Sequence, residues 1–159
     1  MISEQKQQEI DRYASSKYEM VAGTLFHVIA RAPDRFVLFV DSIANHGGFG
    51  SNDADLSLGY EISYHTENYD IDGASYGYAL FDLGFDPNYK EHMPLAEFEN
   101  WLADAYQTLL KYYPNAENDP QLAKDLKEAE VVYQQAIKTV RQLQKDHEKW
   151  KRANPGAMV

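Results

Sequence analysis

Thr24-Leu25-Phe26-His27-Val28-Ile29-Ala30-Arg31-Ala32-Pro33-Asp34-Arg35-Phe36-Val37-Leu38-Phe39-Val40-Asp41-Ser42-Ile43 is the stretch on which the fold turns. It is dense in β-branched and aromatic residues, and Pro33-Asp34 interrupts it as a tight turn would. Residues 24–32 and 35–43 therefore predict the two strands of a hairpin. Both faces are apolar, with Phe26, Val28, Phe36, Leu38 and Val40 on one and Leu25, Ile29, Val37, Phe39 and Ile43 on the other. A central place in a sheet, covered on both sides, is the expectation for such a pair.

Upstream, Ile10, Tyr13, Ala14, Lys17 and Val21 recur at three- and four-residue steps and predict a helix over 3–21, with Gly23 as its stop. Downstream, residues 44–53 are rich in turn formers and predict a surface loop. Residues 56–64 alternate, with Leu56, Leu58, Tyr60, Ile62 and Tyr64 inward and Ser57, Glu61 and Ser63 outward, the pattern of a half-exposed strand. Residues 67–73 form the next turn and 75–85 the fourth strand, after which Asp86-Pro87-Asn88 closes the sheet.

The C-terminal part reads as helical. Pro94 suits a helix start, and Leu95, Phe98, Leu102, Ala105, Tyr106, Leu109 and Tyr113 form an amphipathic stripe that ends at Pro114-Asn115. Asn118 or Asp119 can cap a last helix with Pro120 in its first turn. Leu122, Leu126, Ala129, Tyr133, Ala136, Val140, Leu143, His147 and Trp150 then keep a 4-3 spacing as far as Ala153-Asn154-Pro155-Gly156. At 1.5 Å per residue this helix is ~50 Å long, about twice what the preceding helix can cover. The remainder must lie across the sheet or meet a second chain, so a homodimer through 119–152 is one expectation. The fold class predicted is α+β within a single domain over 1–159. It has an N-terminal helix, a four-stranded antiparallel meander within 24–85, helices at 94–113 and 119–152, and a tail at 153–159.

Composition narrows the function classes. The chain has 159 residues, 44% of them apolar, enough for one domain with a core of its own. It contains no cysteine, which removes disulfides, thiol catalysis and Cys-based zinc sites. Met1-Ile2-Ser3-Glu4-Gln5-Lys6 lacks the apolar core of a signal peptide, and no apolar run approaches the ~20 residues of a membrane span. A soluble cytoplasmic protein is expected.

Charge is the sharper signal. Between Arg35 and Lys90 the chain runs 54 residues without a lysine or arginine, yet carries nine carboxylates. These are Asp41, Asp53, Asp55, Glu61, Glu67, Asp70, Asp72, Asp82 and Asp86, with six tyrosines interleaved from Tyr60 to Tyr89. Residues 119–159 reverse the sign, with six acids against eight bases. The net charge of −10 is therefore concentrated in one segment. Such a field repels nucleic acid and anionic membranes and draws in a basic partner over a Debye length of about 8 Å.

Short catalytic motifs do not survive their structural requirements. His46-Gly47-Gly48-Phe49 imitates an oxyanion loop and Gly73-Ala74-Ser75-Tyr76-Gly77 a nucleophile elbow, but the elbow needs a helix after the serine and a strand is predicted there. Asn68-Tyr69-Asp70-Ile71-Asp72-Gly73 matches the front of a calcium loop, with Ala79 where the bidentate glutamate belongs. None of the five histidines forms an HxxxH pair, and no glycine-rich phosphate cradle occurs. His27 and His147 fit hydrogen-bonded structural roles. No cofactor is called for.

The function expected is that of a small acidic binding protein, not an enzyme, which neutralises a basic partner such as a toxin, nuclease or defence protein. Asp53, Asp55, Glu61, Glu67, Asp70, Asp72 and Tyr69 are the residues expected to touch that partner. Two alternatives come from other classes. One is a small hydrolase or ligand-binding enzyme using His46 or His65 with a nearby carboxylate. The other is a structural protein that assembles through the long helix.

Overall fold

The computed structural model describes residues 2–18, 20–45, 49–50, 54–58, 77–83, 86–153 and 155. In chain order these form α1 (Glu4–Lys17), α2 (Met20–Ile29), α3 (Pro33–Ala44), β1 (Phe49–Gly50), β2 (Asp55–Leu58), β3 (Tyr78–Leu83), β4 (Asp86–Pro94), α4 (Leu95–Tyr112), a 3-10 turn (Ala116–Asn118) and α5 (Pro120–Ala153). The class is α+β, with a four-stranded antiparallel sheet in the order β1-β2-β3-β4 and a long C-terminal helix.

Residues 24–43 are not a hairpin: they belong to α2 and α3. The buried set in α3, Phe36, Phe39, Val40 and Ile43, steps by three, one and three, which is a helical stripe. Pro33 is the first helical residue, where its missing N–H costs nothing, rather than a hairpin corner. In α2 the buried residues Val21, Ala22, Leu25, Phe26 and Ile29 likewise follow a helical repeat. A nearly all-apolar segment fits either period, so the choice falls to what surrounds it, and here burial overrides β propensity. The N-terminal helix is also shorter than 3–21. Ser3 caps it through its side chain, and Tyr18, in extended backbone, ends it.

The sheet is therefore built from later residues than predicted. β1 lies in the stretch expected to be a loop, β2 is the start of the predicted 56–64 strand, and β3 lies within the predicted 75–85 strand. Asp86-Pro87-Asn88 does not close the sheet but opens β4. The register places Leu56 opposite Phe81, Leu58 opposite Ala79, and Phe81 opposite Glu91 on the inner face. Leu56, Leu58, Ala79 and Phe81 are buried there, against a helical layer in which α2 and α4 touch β3 and β4. The predicted 67–73 turn and residues 59–64 fall outside the described residues.

Trp101 of α4 occupies the centre of the core, with the rings of Phe26, Phe39, Phe81 and Phe98 at 5.7, 5.6, 5.4 and 5.6 Å. The long helix runs as predicted. Asp119 caps it by accepting from the backbone N–H of Gln121 and Leu122 at 3.1 and 3.2 Å. Leu126, Ala129, Ala136, Val140, Leu143 and His147 of its stripe are buried. The helix packs mainly against α3, and in smaller part against α4 and the 3-10 turn.

Candidate functional site

Of the residues expected to form an acidic face, Asp55 alone is described; Asp53, Glu61, Glu67, Tyr69, Asp70 and Asp72 lie outside the described residues, as do His46 and His65. Asp55 sits on β2 and pairs in register with Asp82 of β3. Since Leu56 and Phe81 beside them face the core, Asp55 and Asp82 share the outer face of the sheet, both partly exposed. Cross-strand positions hold their Cβ atoms about 5 Å apart, so two carboxylates of the base-free segment stand side by side. Among the described residues no group of histidines and carboxylates gathers in a way that could hold a metal ion.

A second feature was not visible in the sequence. A cleft of about 370 Å³ opens between the α1–α2 junction, β4 and α4, lined by Lys17, Tyr18, Glu91, His92, Glu97 and Trp101 among others. Glu91 sits on the inner face of β4, an unusual place for a carboxylate. Its two oxygens accept from the backbone N–H of Val21 and Ala22 at 2.8 and 3.0 Å, so it closes the N-terminus of α2 from another element. Free N–H groups and the positive end of the helix dipole together favour that charge. Trp101 is 1% exposed, and its Nε1 has no hydrogen-bond partner. A buried donor left without an acceptor costs about 1–3 kcal/mol.

Beside the cleft, the Asp104 carboxylate gathers the chain between α1 and α4. It accepts from Tyr13 Oη at 3.1 Å, from Tyr18 Oη, and pairs with Lys17 Nζ at 3.3 Å. Burial, reinforced by the Asp104 charge, pushes the Tyr18 hydroxyl well above the ordinary tyrosine range. Lys17 is raised as well, chiefly by its 2.7 Å bond to Tyr13 and then by Asp104, so it stays protonated.

Ser15, His27 and Asp11 lie in the order of a nucleophile, base and acid. Ser15 Oγ is 3.1 Å from His27 Nε2, and His27 Nδ1 is 3.5 Å from Asp11 Oδ1. Two facts make this a clasp between helices rather than a catalytic triad. The same Asp11 oxygen receives Arg31 at 2.7 Å and the Tyr112 hydroxyl at 3.0 Å, so it does not serve the histidine alone. Ser15 also lies inside α1, where the helix occupies the backbone N–H that would have to stabilise an oxyanion. His27, expected in a strand, lies on the helix α2 and is hydrogen-bonded to Ser15. His147 is buried, stacked on Trp150 at 6.1 Å and packed so closely against Gly77 that a Cβ there would stand 2.5 Å from Nε2.

No protein family, no curated protein and no solved structure matches this chain. The cleft residues come from α1, α2, β3, β4 and α4, spread over some eighty positions, so no local motif could announce them. The nearest signal was Trp101, three residues beyond Phe98 on the apolar face of α4.

Proposed function

We propose that this protein binds a basic protein and covers its cationic surface, without catalysing a reaction. The observation that carries the reading is the 54-residue run with nine carboxylates and no lysine or arginine. Support comes from the pairing of Asp55 with Asp82 on the outer sheet face. Asp82 stands in register opposite Lys90 of β4 on its other side, so the sign of the field is set by the 54-residue run as a whole. The field accelerates encounter, while a few desolvated acid–base pairs and tyrosine anchors set the dissociation rate.

The test is an affinity capture from the host lysate, washed at low and then moderate salt. The expected result is one basic protein held at equal stoichiometry and released when Asp53, Asp55, Glu61 and Asp70 are reversed to lysine. Unchanged retention by the reversed protein would overturn the reading, as would recovery of this chain alone.

A further inference from the structure

The outward side of α5 carries a charge pattern of its own. At about 100° per residue, Lys138, Arg141, Lys145, Lys149 and Arg152 follow one another along a single stripe. Lys124 and Lys127 continue it toward the start of the helix. All seven are exposed. They lie opposite Ala129, Ala136, Val140, Leu143 and His147, which are buried. The stripe fills an arc of about 100° and runs ~42 Å along the axis. Every carboxylate of α5 (Asp125, Glu128, Glu130, Asp146 and Glu148) falls outside that arc.

A solvated helix face ordinarily interleaves both signs, whereas this one gathers seven of the chain's 15 bases in a protein of net charge −10. Arg141 meets Glu99 at 3.0 Å and Lys127 meets Glu130 at 3.2 Å. Lys124, Lys138, Lys145, Lys149 and Arg152 make no ion pair among the described residues.

Three arguments select what such a stripe meets. Its one large apolar residue is Val131, too little to insert into a lipid surface. The net charge opposes the approach of nucleic acid. The complementary surface is encoded in the same chain, as the 54 residues with nine carboxylates and no base. Asp55 and Asp82 of that run are partly exposed on the outer sheet face. Two α5 helices cannot meet through their outward sides, because like charges would face each other. Nor can they meet through the apolar side, which is buried within its own chain.

We propose that the basic stripe of α5 docks the base-free acidic segment of a second copy of this chain. The contact joins unlike surfaces, so it closes as a reciprocal pair or continues head to tail. Exposed ion pairs are individually weak, so the association is reversible and sensitive to salt. It rests on the same carboxylates as the binding of a basic partner, and such a partner competes with it.

Sedimentation velocity on the full chain reads this directly. At low salt the average mass is expected to rise with concentration above the 18.2 kDa of one chain. At about 0.5 M salt the dissociation constant should be at least about tenfold weaker. Lys138→Gln, Lys145→Gln and Lys149→Gln together neutralise the stripe at exposed positions and leave the core intact. Asp53→Asn, Asp55→Asn, Asp70→Asn and Asp72→Asn together weaken the acidic segment. Each combined variant should stay monomeric alone. Mixed, they hold one intact stripe and one intact segment between them, and should associate as a pair and no further. An unsubstituted chain that stays monomeric at low salt would overturn the proposal, as would undiminished association of the stripe variant or a mixture that fails to pair. A monomer that instead binds a labelled oligonucleotide would also overturn it, assigning the stripe to nucleic acid. The stripe variant keeps its acidic segment, so its capture of a basic partner tests that reading separately.

Discussion

α3 packs against α5, yet the two became helices for different reasons. α5 is built from Ala, Gln, Lys, Glu and Leu over 34 residues, with a capped start and a regular apolar stripe. Its local preferences and its packing agree. α3 is twelve residues, five of them β-branched or aromatic, whose N-cap Ala32 makes no side-chain bond. It is helical because Phe36, Phe39, Val40 and Ile43 then meet the core together. One helix is specified locally, and the other by its surroundings.

The comparison is tested most severely by removing the packing of α3. Phe39→Ala deletes a fully buried ring in contact with the Trp101 cluster and is expected to cost about 3–5 kcal/mol in denaturant unfolding. Val131→Ala on α5, where the side chain is 48% exposed, should stay within about 0.5 kcal/mol. Similar losses for the two would mean that α3 does not depend on burial as argued.

A smaller effect is expected where α5 meets the sheet. Gly77→Ala places a methyl group 2.5 Å from His147 Nε2, so the imidazole must shift, at about 1–3 kcal/mol. A Gly77→Ala protein with unchanged stability and an unchanged Trp150 environment would show that this contact yields freely. Glu91→Ala removes the cap on α2 and should lower stability by about 1 kcal/mol. Hydrogen exchange should then quicken first at the Val21 and Ala22 amides, and uniform quickening throughout the chain would argue against a local cap.

Isolated peptides sharpen the same contrast. A peptide of residues 120–153 should show partial helicity by circular dichroism in water, and one of residues 33–44 none, since short helices without tertiary contacts are marginal.

The least effect concerns pH at the α1–α2 clasp. Burial lowers the His27 pKa below the ordinary 6.5, outweighing the nearby Asp11 charge. A depressed histidine takes up its proton more readily in the unfolded chain. Its contribution is therefore complete above pH 6.5 and declines as the pH falls below that value. His27→Gln should flatten this part of the stability profile. An identical profile in the variant would assign the dependence to other groups.

Much of the candidate functional surface was legible only as composition. The base-free run is plain in the sequence, and Asp55 and Asp82 become neighbours only through the β2–β3 register. The cleft was not legible at all. Glu91 reads as one more surface acid until β4 turns it inward and α2 arrives with two N–H groups to meet it.

The sequence by itself determined α4, α5 and the segregation of charge, because those features repeat over many residues within one stretch of chain. The tertiary structure decided the conformation of residues 24–43, the identity of the fourth strand, and the cleft over Trp101. A short segment apolar on nearly every side satisfies either a helix or a strand, and only the partners it is buried against remove that degeneracy.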